Sequence, residues 1–399
     1  GKHNIPNRLP MSSRQFSITG LISLMALCAI LYLYFLRVNE IQFDFKHHGY
    51  ITGDWLINYT NGLVRRGLFG EIAMQVHRWF GNSPVEAVLA TKYLAYAVLC
   101  IAILLLAIVK GIGLIEILFL ISPWALMFDL NDPGGSGRKE ILLFASFALF
   151  ALLQVFSKAP PKTILKRWDF YYLMIIMVVL AFTHEGLIFF FPFFYLPLYL
   201  KHGLNKSDFL TFFIPYLVSL LVLVVLYVFF KGNKETAEAI CNSLNPWSVN
   251  GSLGCDAIHL LAGKHPKAHI GFIKSFTPLL LLTMIPLYCY GRWIAGLTKH
   301  HLLLAMLIPL ILTVPLYGIA IDWGRWIHVS GLLFFITFFS LKGQNSALRK
   351  PSLVAILLVL CMAVPYTFYW RIPHTVGEHK VFWWWTQDPV GYLEAWHLK

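Results

Sequence analysis

Phe16-Ser-Ile-Thr-Gly-Leu-Ile-Ser-Leu-Met-Ala-Leu-Cys-Ala-Ile-Leu-Tyr-Leu-Tyr-Phe35 is a run of twenty residues without one charge. Wound as an α-helix at about 1.5 Å per residue, it crosses a hydrocarbon core of about 30 Å. It is too long for the apolar part of a secretory leader and lacks a small-residue cleavage site, so it reads as a retained helix. Similar runs recur near 16–36, 88–109, 112–128, 141–157, 170–184, 186–200, 209–230, 276–296, 302–321, 327–341 and 352–370.

The whole composition agrees with that first run. Hydrophobic residues make up 58% of the 399 and charged ones 13%, with a mean hydropathy of +0.67. A soluble domain carries roughly 25% charged residues. The expectation is an all-α chain: one integral membrane domain over 1–399, a polytopic transmembrane helical bundle of about 11 helices. Three segments outside the runs are long: 37–87, 231–275 and the tail 371–399. Between Trp55 and Trp79 apolar residues recur at helical spacing around Arg65, Arg66, Glu71 and Arg78. This predicts one or two interfacial amphipathic helices in the first extracytoplasmic loop. Trp370, Trp383, Trp384, Trp385 and Trp396 suit an aromatic belt at the membrane surface or a stacking platform for a sugar.

The formal charge of +13 is a statement about topology. With the N-terminus in the cytoplasm, the short inner connections hold fifteen basic residues, from Lys2 to Lys350, against three acids, Glu116, Asp169 and Asp208. That is the positive-inside pattern, and it excludes a nucleic-acid footprint. It places the C-terminus outside, most simply in a bacterial inner (plasma) membrane. Cys28, Cys100, Cys289 and Cys361 lie in apolar runs, where cysteine acts as a small hydrophobe. Cys241 and Cys255 share one outer loop, where they either bridge or stay free.

Four ionisable clusters fall on the outer side. The first is Asp44 to Asp54, followed by Asn61-Gly-Leu-Val-Arg65-Arg66-Gly-Leu-Phe-Gly-Glu71. Glycine-flanked arginines approach a phosphate closely and grip it with forked donors, or else snorkel to lipid head groups. The second is Asp129-Leu-Asn-Asp132-Pro-Gly-Gly-Ser-Gly-Arg138-Lys139-Glu140. Its glycines allow a nest of backbone N–H groups ahead of a helix N-terminus, with Arg138 and Lys139 completing an anion site. A tight polar turn is the plainer reading. The third is Thr183-His184-Glu185-Gly186, either a helix-connecting turn or a pair facing a cavity. The fourth is Asp322-Trp-Gly-Arg325, three apart and able to pair on one helical face, where Arg325 serves structure or substrate.

No zinc-type spacing, Walker A or Gly-x-Ser-x-Gly sequence occurs, so no cofactor is expected and a divalent metal has no support in ligand spacing. A transporter binds near the midplane and needs charges through the bilayer depth, whereas these gather at one rim. Basic residues there fit a phosphate or diphosphate, and carboxylates fit deprotonation of a hydroxyl. Without nucleotide sugars outside the cytoplasm, a sugar donor has to arrive on a lipid.

A hydrophobic chain of this length, with Asp44 and Asp54 in a first outer loop and outer arginine clusters, resembles the GT-C-type membrane glycosyltransferases. It is most similar to O-antigen (Wzy-type) polymerases. The family often has two adjacent acids in that loop, and here they stand apart. The resemblance implies a transferase using a polyprenyl-(di)phosphate-linked sugar donor and a glycan acceptor in cell-surface polysaccharide assembly. Arg65, Arg66, Arg138 and Lys139, with His184 and Arg325, would bind the leaving phosphate. Asp54, Asp132 or Glu185 would serve as general base, with Asp44, Glu71, Asp129, Glu140 and Asp322 in support. A lipid-linked oligosaccharide flippase or other transporter is the alternative, and a non-enzymatic envelope scaffold a third.

Overall fold

A computed structural model describes residues 17–157, 160–247, 255–263, 267–268, 270–343, 353, 356–357 and 370–375. The regular elements among them are helices. Ser17 caps α1 (Ile18–Asp44) by accepting from the Gly20 N–H at 3.1 Å. Then come α2 (Leu68–Phe80), α3 (Pro84–Lys110), α4 (Leu114–Leu120), α5 (Leu126–Asn131), α6 (Glu140–Phe156) and α7 (Trp168–Thr183). An eleven-residue 3-10 segment, Glu185–Tyr195, leads into α8 (Leu196–His202). The chain continues through α9 (Lys206–Phe229), α10 (Lys234–Ser243), α11 (Cys255–His259), α12 (Ile270–Cys289), α13 (Lys299–Ile319) and α14 (Trp323–Leu341).

Six helices among the described residues are long and apolar enough to cross a membrane: α1, α3, α9, α12 with its π-turn extension to Ile294, α13 and α14. Helices α6 and α7 are apolar but shorter. Two of the eleven expected spans are broken rather than continuous. The run 112–128 becomes α4, a turn and α5, and the run 186–200 becomes the 3-10 segment and α8. Most of the expected span 352–370 and of the tail 371–399, with Trp383, Trp384, Trp385 and Trp396, lies outside the described residues. Of the amphipathic pair expected in the first loop, α2 forms. It leaves Ile72, Trp79 and Phe80 exposed and turns Gly70 and Ala73 inward.

Helix α14 is the axis of the bundle. Every residue from Gly324 to Leu341 is buried, which suits a helix apolar on all sides. Gly331 permits this packing, since a Cβ there would meet Thr283 and Trp124 at 2.9 Å. Helices α1, α9 and α13 instead present Leu21, Met25, Leu221, Val228, Ile311 and Val314 outward, the arrangement lipid requires.

The connections sort into two ends. At one end Lys139, just before α6, touches the Thr183 carbonyl at the close of α7. At the other, Gln154 near the end of α6 donates to Asp169 at the start of α7. Seventeen residues of α6 separate these ends by about 25 Å. The second end also holds Lys201, Asp208 and the Lys342–Glu116 pair. All four clusters anticipated from the sequence lie at the first.

Candidate functional site

The Arg65-Arg66 corner is fixed through its backbone. The Arg65 N–H donates to the Phe230 carbonyl at 2.9 Å, and its Nε donates to the Lys231 carbonyl at 3.0 Å. Arg66 has φ of +67°, a left-handed conformation costing a non-glycine residue about 1–2 kcal/mol. The strained backbone directs the two guanidiniums at one carboxylate. Arg66 meets both oxygens of Glu185, its Nε at 2.8 and 2.9 Å and its Nη2 at 2.6 Å from Oε1. Arg65 pairs with the same Glu185.

Asp54 joins this corner to the glycine-rich turn. Its Oδ1 lies 3.4 Å from Arg66 Nη1 and its Oδ2 3.4 Å from Lys139 Nζ. Lys139 also donates to the Arg66 carbonyl at 3.1 Å and the Thr183 carbonyl at 3.0 Å. Residues 54, 65–66, 139 and 185 thus form one buried network of three cations and two carboxylates. Burial pushes the Asp54 carboxyl up, but Lys139 and Arg66 outweigh it and hold the group well below the usual carboxylate range. Burial pulls the Lys139 ammonium down, opposed by Asp54 and reinforced by Arg66.

The turn 132–138 differs from the open nest expected of it. Gly135 and Ser136 N–H donate to the Asp132 carbonyl, and Gly137 N–H donates to the Tyr96 hydroxyl at 3.2 Å. These amides are consumed internally, so an anion here would be held by side chains. Gly137 has φ of +64°, and a Cβ on it would overlap the Gln42 amide, so the turn needs glycine there. Trp55 Nε1 donates to the Gly137 carbonyl at 2.9 Å and ties the turn to the first loop. Arg138 is half-buried, with Nε on the Gly134 carbonyl at 3.2 Å and Nη1 on the Tyr50 carbonyl at 3.0 Å. Among the described residues it makes no ion pair. Burial lowers its pKa from the usual value, and neighbouring Arg325 adds to the effect.

Arg325 pairs with Glu140 and, at 3.2 Å, with Asp322. Asp129 accepts from the Tyr34 hydroxyl at 2.6 Å. His184 Nδ1 accepts from the Gly186 N–H at 3.0 Å, turning the chain into the 3-10 segment beside the network. Asp132 is held apart by His374, whose backbone N–H and Nδ1 both reach it, at 2.6 and 2.8 Å. Asp44 is exposed at the end of α1 with no ion pair among the described residues. Glu71 serves its own loop, accepting from the Tyr59 N–H at 3.1 Å and pairing with Arg78. Cys241 and Cys255 are joined by a disulfide that ties α10 to α11.

A buried lysine, its glutamine partner and a buried histidine here were not anticipated from the sequence. Lys92, inside α3, donates to Gln42 at 3.2 Å, and Gln42 donates to Ser136 at 3.0 Å. His328, inside α14, contacts the Trp124 carbonyl through Nδ1 at 2.8 Å. The helix interiors are therefore less free of ionisable groups than their runs suggest. The spacing of Arg325 and His328, three apart on one helical face, is the signal that points to the histidine.

An all-helical membrane protein with a buried cation–carboxylate network at one end is what the fold and these contacts define. Comparison with family models, with curated proteins and with solved structures finds no match to this chain.

Proposed function

We propose that this end of the bundle transfers a sugar from a polyprenyl-(di)phosphate carrier to a glycan acceptor, at the extracytoplasmic face of a bacterial inner membrane. In this reading the basic loops at the opposite end face the cytoplasm, and the broken segments count among about eleven crossings. The observation that carries the reading is Arg138. It is a cation with no carboxylate partner among the described residues, beside a network that already concentrates Arg65, Arg66 and Lys139. Fixed donors of this kind stabilise a leaving phosphate without reorganising during reaction.

The acceptor hydroxyl oxygen bonds to the anomeric carbon, the bond from that carbon to the phosphate oxygen breaks, and the phosphate keeps the electron pair. The hydroxyl proton needs an acceptor. Of the three carboxylates, Glu185 is gripped by two guanidiniums and Asp132 by His374, whereas Asp54 sits at 3.4 Å from each of its cations. A donor phosphate that draws Arg66 and Lys139 toward itself releases Asp54 to take the proton. Purified full-length protein in lipid nanodiscs, given lipid-linked oligosaccharide, should yield extended product by mass spectrometry. Asp54→Asn should lower that rate about 10²-fold or more with donor still bound. Movement of lipid-linked sugar across a bilayer with no new glycosidic bond would replace this reading with that of a flippase.

A further inference from the structure

Helices α10 and α11 pack together and lie on the loop that carries Arg65 and Arg66. Four residues, 230–233, link α9 to α10, and Asn233 caps α10 by accepting from the Thr236 N–H at 2.8 Å. Two of those four hold the arginine corner, since the Phe230 and Lys231 carbonyls receive the Arg65 N–H and Nε. The same pair of helices is seated on the loop at further points. Asn61 donates to Thr236 Oγ1 and Asn58 to Ser243 Oγ, each at 3.3 Å, and the rings of Trp247 and His77 meet edge-on at 4.9 Å. Val64 and Leu261 both close on Gly232, where an added Cβ would lie 3.1 and 3.4 Å from them. Ala237, Ile240, Leu244 and Ile258 are fully buried beneath these contacts.

These two helices do not stand by themselves. Helix α10 has ten residues and α11 five, below the about 12–15 at which an isolated helix becomes stable in water. The Cys241–Cys255 bridge joins the last turn of α10 to the first residue of α11 across a sequence separation of 14. A cross-link of this kind removes the conformations in which the two helices part. Cys28, Cys100 and Cys289 are free, so it is the one bridge among the described residues. Arg66 adds a reason for such a constraint. A left-handed backbone at a residue other than glycine persists only where its surroundings over-determine it, and Arg65 is the neighbour that is tied down.

We propose that the Cys241–Cys255 bridge positions the candidate site: by closing α10 on α11 it holds the 230–231 carbonyls that orient Arg65, and through Arg65 the strained Arg66, toward a phosphate. An oxidising extracytoplasmic space keeps such a bridge formed. The proposal rests on the transferase reading for the phosphate, whereas the tether from bridge to Arg65 is measured without any donor.

The bridge is removed in two ways from the full-length protein in detergent: by Cys241→Ala with Cys255→Ala, and by reducing folded wild type with a trialkylphosphine. The phosphine takes up an oxygen from water as the disulfide becomes two thiols. A chelator keeps metal off those thiols and His259, whose ring nitrogen lies within 4.8 Å of both sulfurs. Hydrogen exchange read by mass spectrometry should show the Arg65 amide exchanging about tenfold or more faster without the bridge, with α6 and α14 unchanged. Farnesyl diphosphate, a short carrier diphosphate without a sugar, should bind about tenfold more weakly by calorimetry. Reoxidation of the reduced wild type should restore both values. Unchanged exchange at Arg65 in the reduced wild type, or equal acceleration throughout the bundle, would overturn the tether. Local acceleration with unchanged farnesyl diphosphate affinity would overturn the positioning role and the assignment of Arg65 and Arg66 to the donor phosphate. Both effects in a protein that forms no glycosidic bond would leave the positioning standing and remove the transferase.

Discussion

The bundle buries charge at both ends and does so in two different ways. At the end away from the candidate site, Arg167 sits between Asp169 at 2.6 Å and Asp208 at 2.5 Å, and Asp208 also contacts His202 at 3.0 Å. Arg167 Nε and Nη1 are further engaged by Asp169 and Ser207. This is a closed clasp. It links the start of α7 to the start of α9, and these helices pack against each other along their length. At the candidate site the network of Asp54, Arg65, Arg66, Lys139 and Glu185 has more cations than carboxylates. Arg138 stands beside it without an ionic partner among the described residues, and nearby Glu140 Oε2, Arg325 Nε and His328 Nε2 have no hydrogen-bond partner among them. Burial of ion pairs alone therefore does not single out a site in this molecule. Excess charge and unpaired buried polar atoms do.

The contrast is tested first where the largest effect falls. Arg167→Ala leaves two buried carboxylates facing each other, and breaking a buried pair in this way costs about 3–5 kcal/mol. Thermal unfolding in detergent should show that loss, while the surviving folded fraction keeps its donor affinity. Unchanged stability would mean that the clasp is not structural and that the two ends differ less than argued.

Glu185→Gln probes the open network and should cost less, about 1–3 kcal/mol, because the amide still accepts from Arg65 and Arg66. The two guanidiniums lose a competing anion, so lipid-linked donor should bind a few-fold more tightly while transfer slows. Weaker donor binding would show that Glu185 builds the phosphate site instead of competing with it.

The smallest effect is a null one, set by pH. The Asp54 pKa is depressed, so its contribution to stability is present above the unfolded value of about 3.9 and is lost as pH falls further, toward the folded value. The Asp54 contribution to the unfolding midpoint should stay constant between pH 7 and about 5, and Asp54→Asn should flatten only the decline below about pH 4. A difference between wild type and Asp54→Asn that already changes between pH 7 and 5 would put that carboxyl in a different environment.

Much of this end of the molecule was legible from sequence because its residues announce themselves. Arg65-Arg66, Arg138-Lys139 and His184-Glu185 are charges where apolar helices should close, and lipid penalises such residues unless they find partners. The sequence places all three pairs on one side, and in the structure Lys139 reaches the Arg66 carbonyl while Arg65 and Arg66 reach Glu185. What could not be read has physical causes. Leu187 to Leu200 is so uniformly apolar that its pattern carries no period, and periods of 3.0, 3.6 or a break look the same. Lys92 and His328 sit singly in apolar runs, where only the packing partner shows whether a polar side chain faces lipid or the interior. Asp132 meets His374 across more than two hundred residues, a distance no local pattern spans.

The 3-10 segment from Glu185 to Tyr195 has a consequence measured in reach. At about 2.0 Å per residue its eleven residues extend about 22 Å, where α winding would give about 16 Å. The winding alone lengthens the arm between α8 and the arginine corner by about 5 Å, as much as three or four extra residues of α-helix. Pro192, within the segment, would press its ring against the Ile188 carbonyl in an α-helix and so helps hold the longer form. Rewound as an α-helix from the same anchor at α8, the arm would end short of Arg65 and Arg66. The network owes its meeting point to the pitch of a helix as much as to the charges on it.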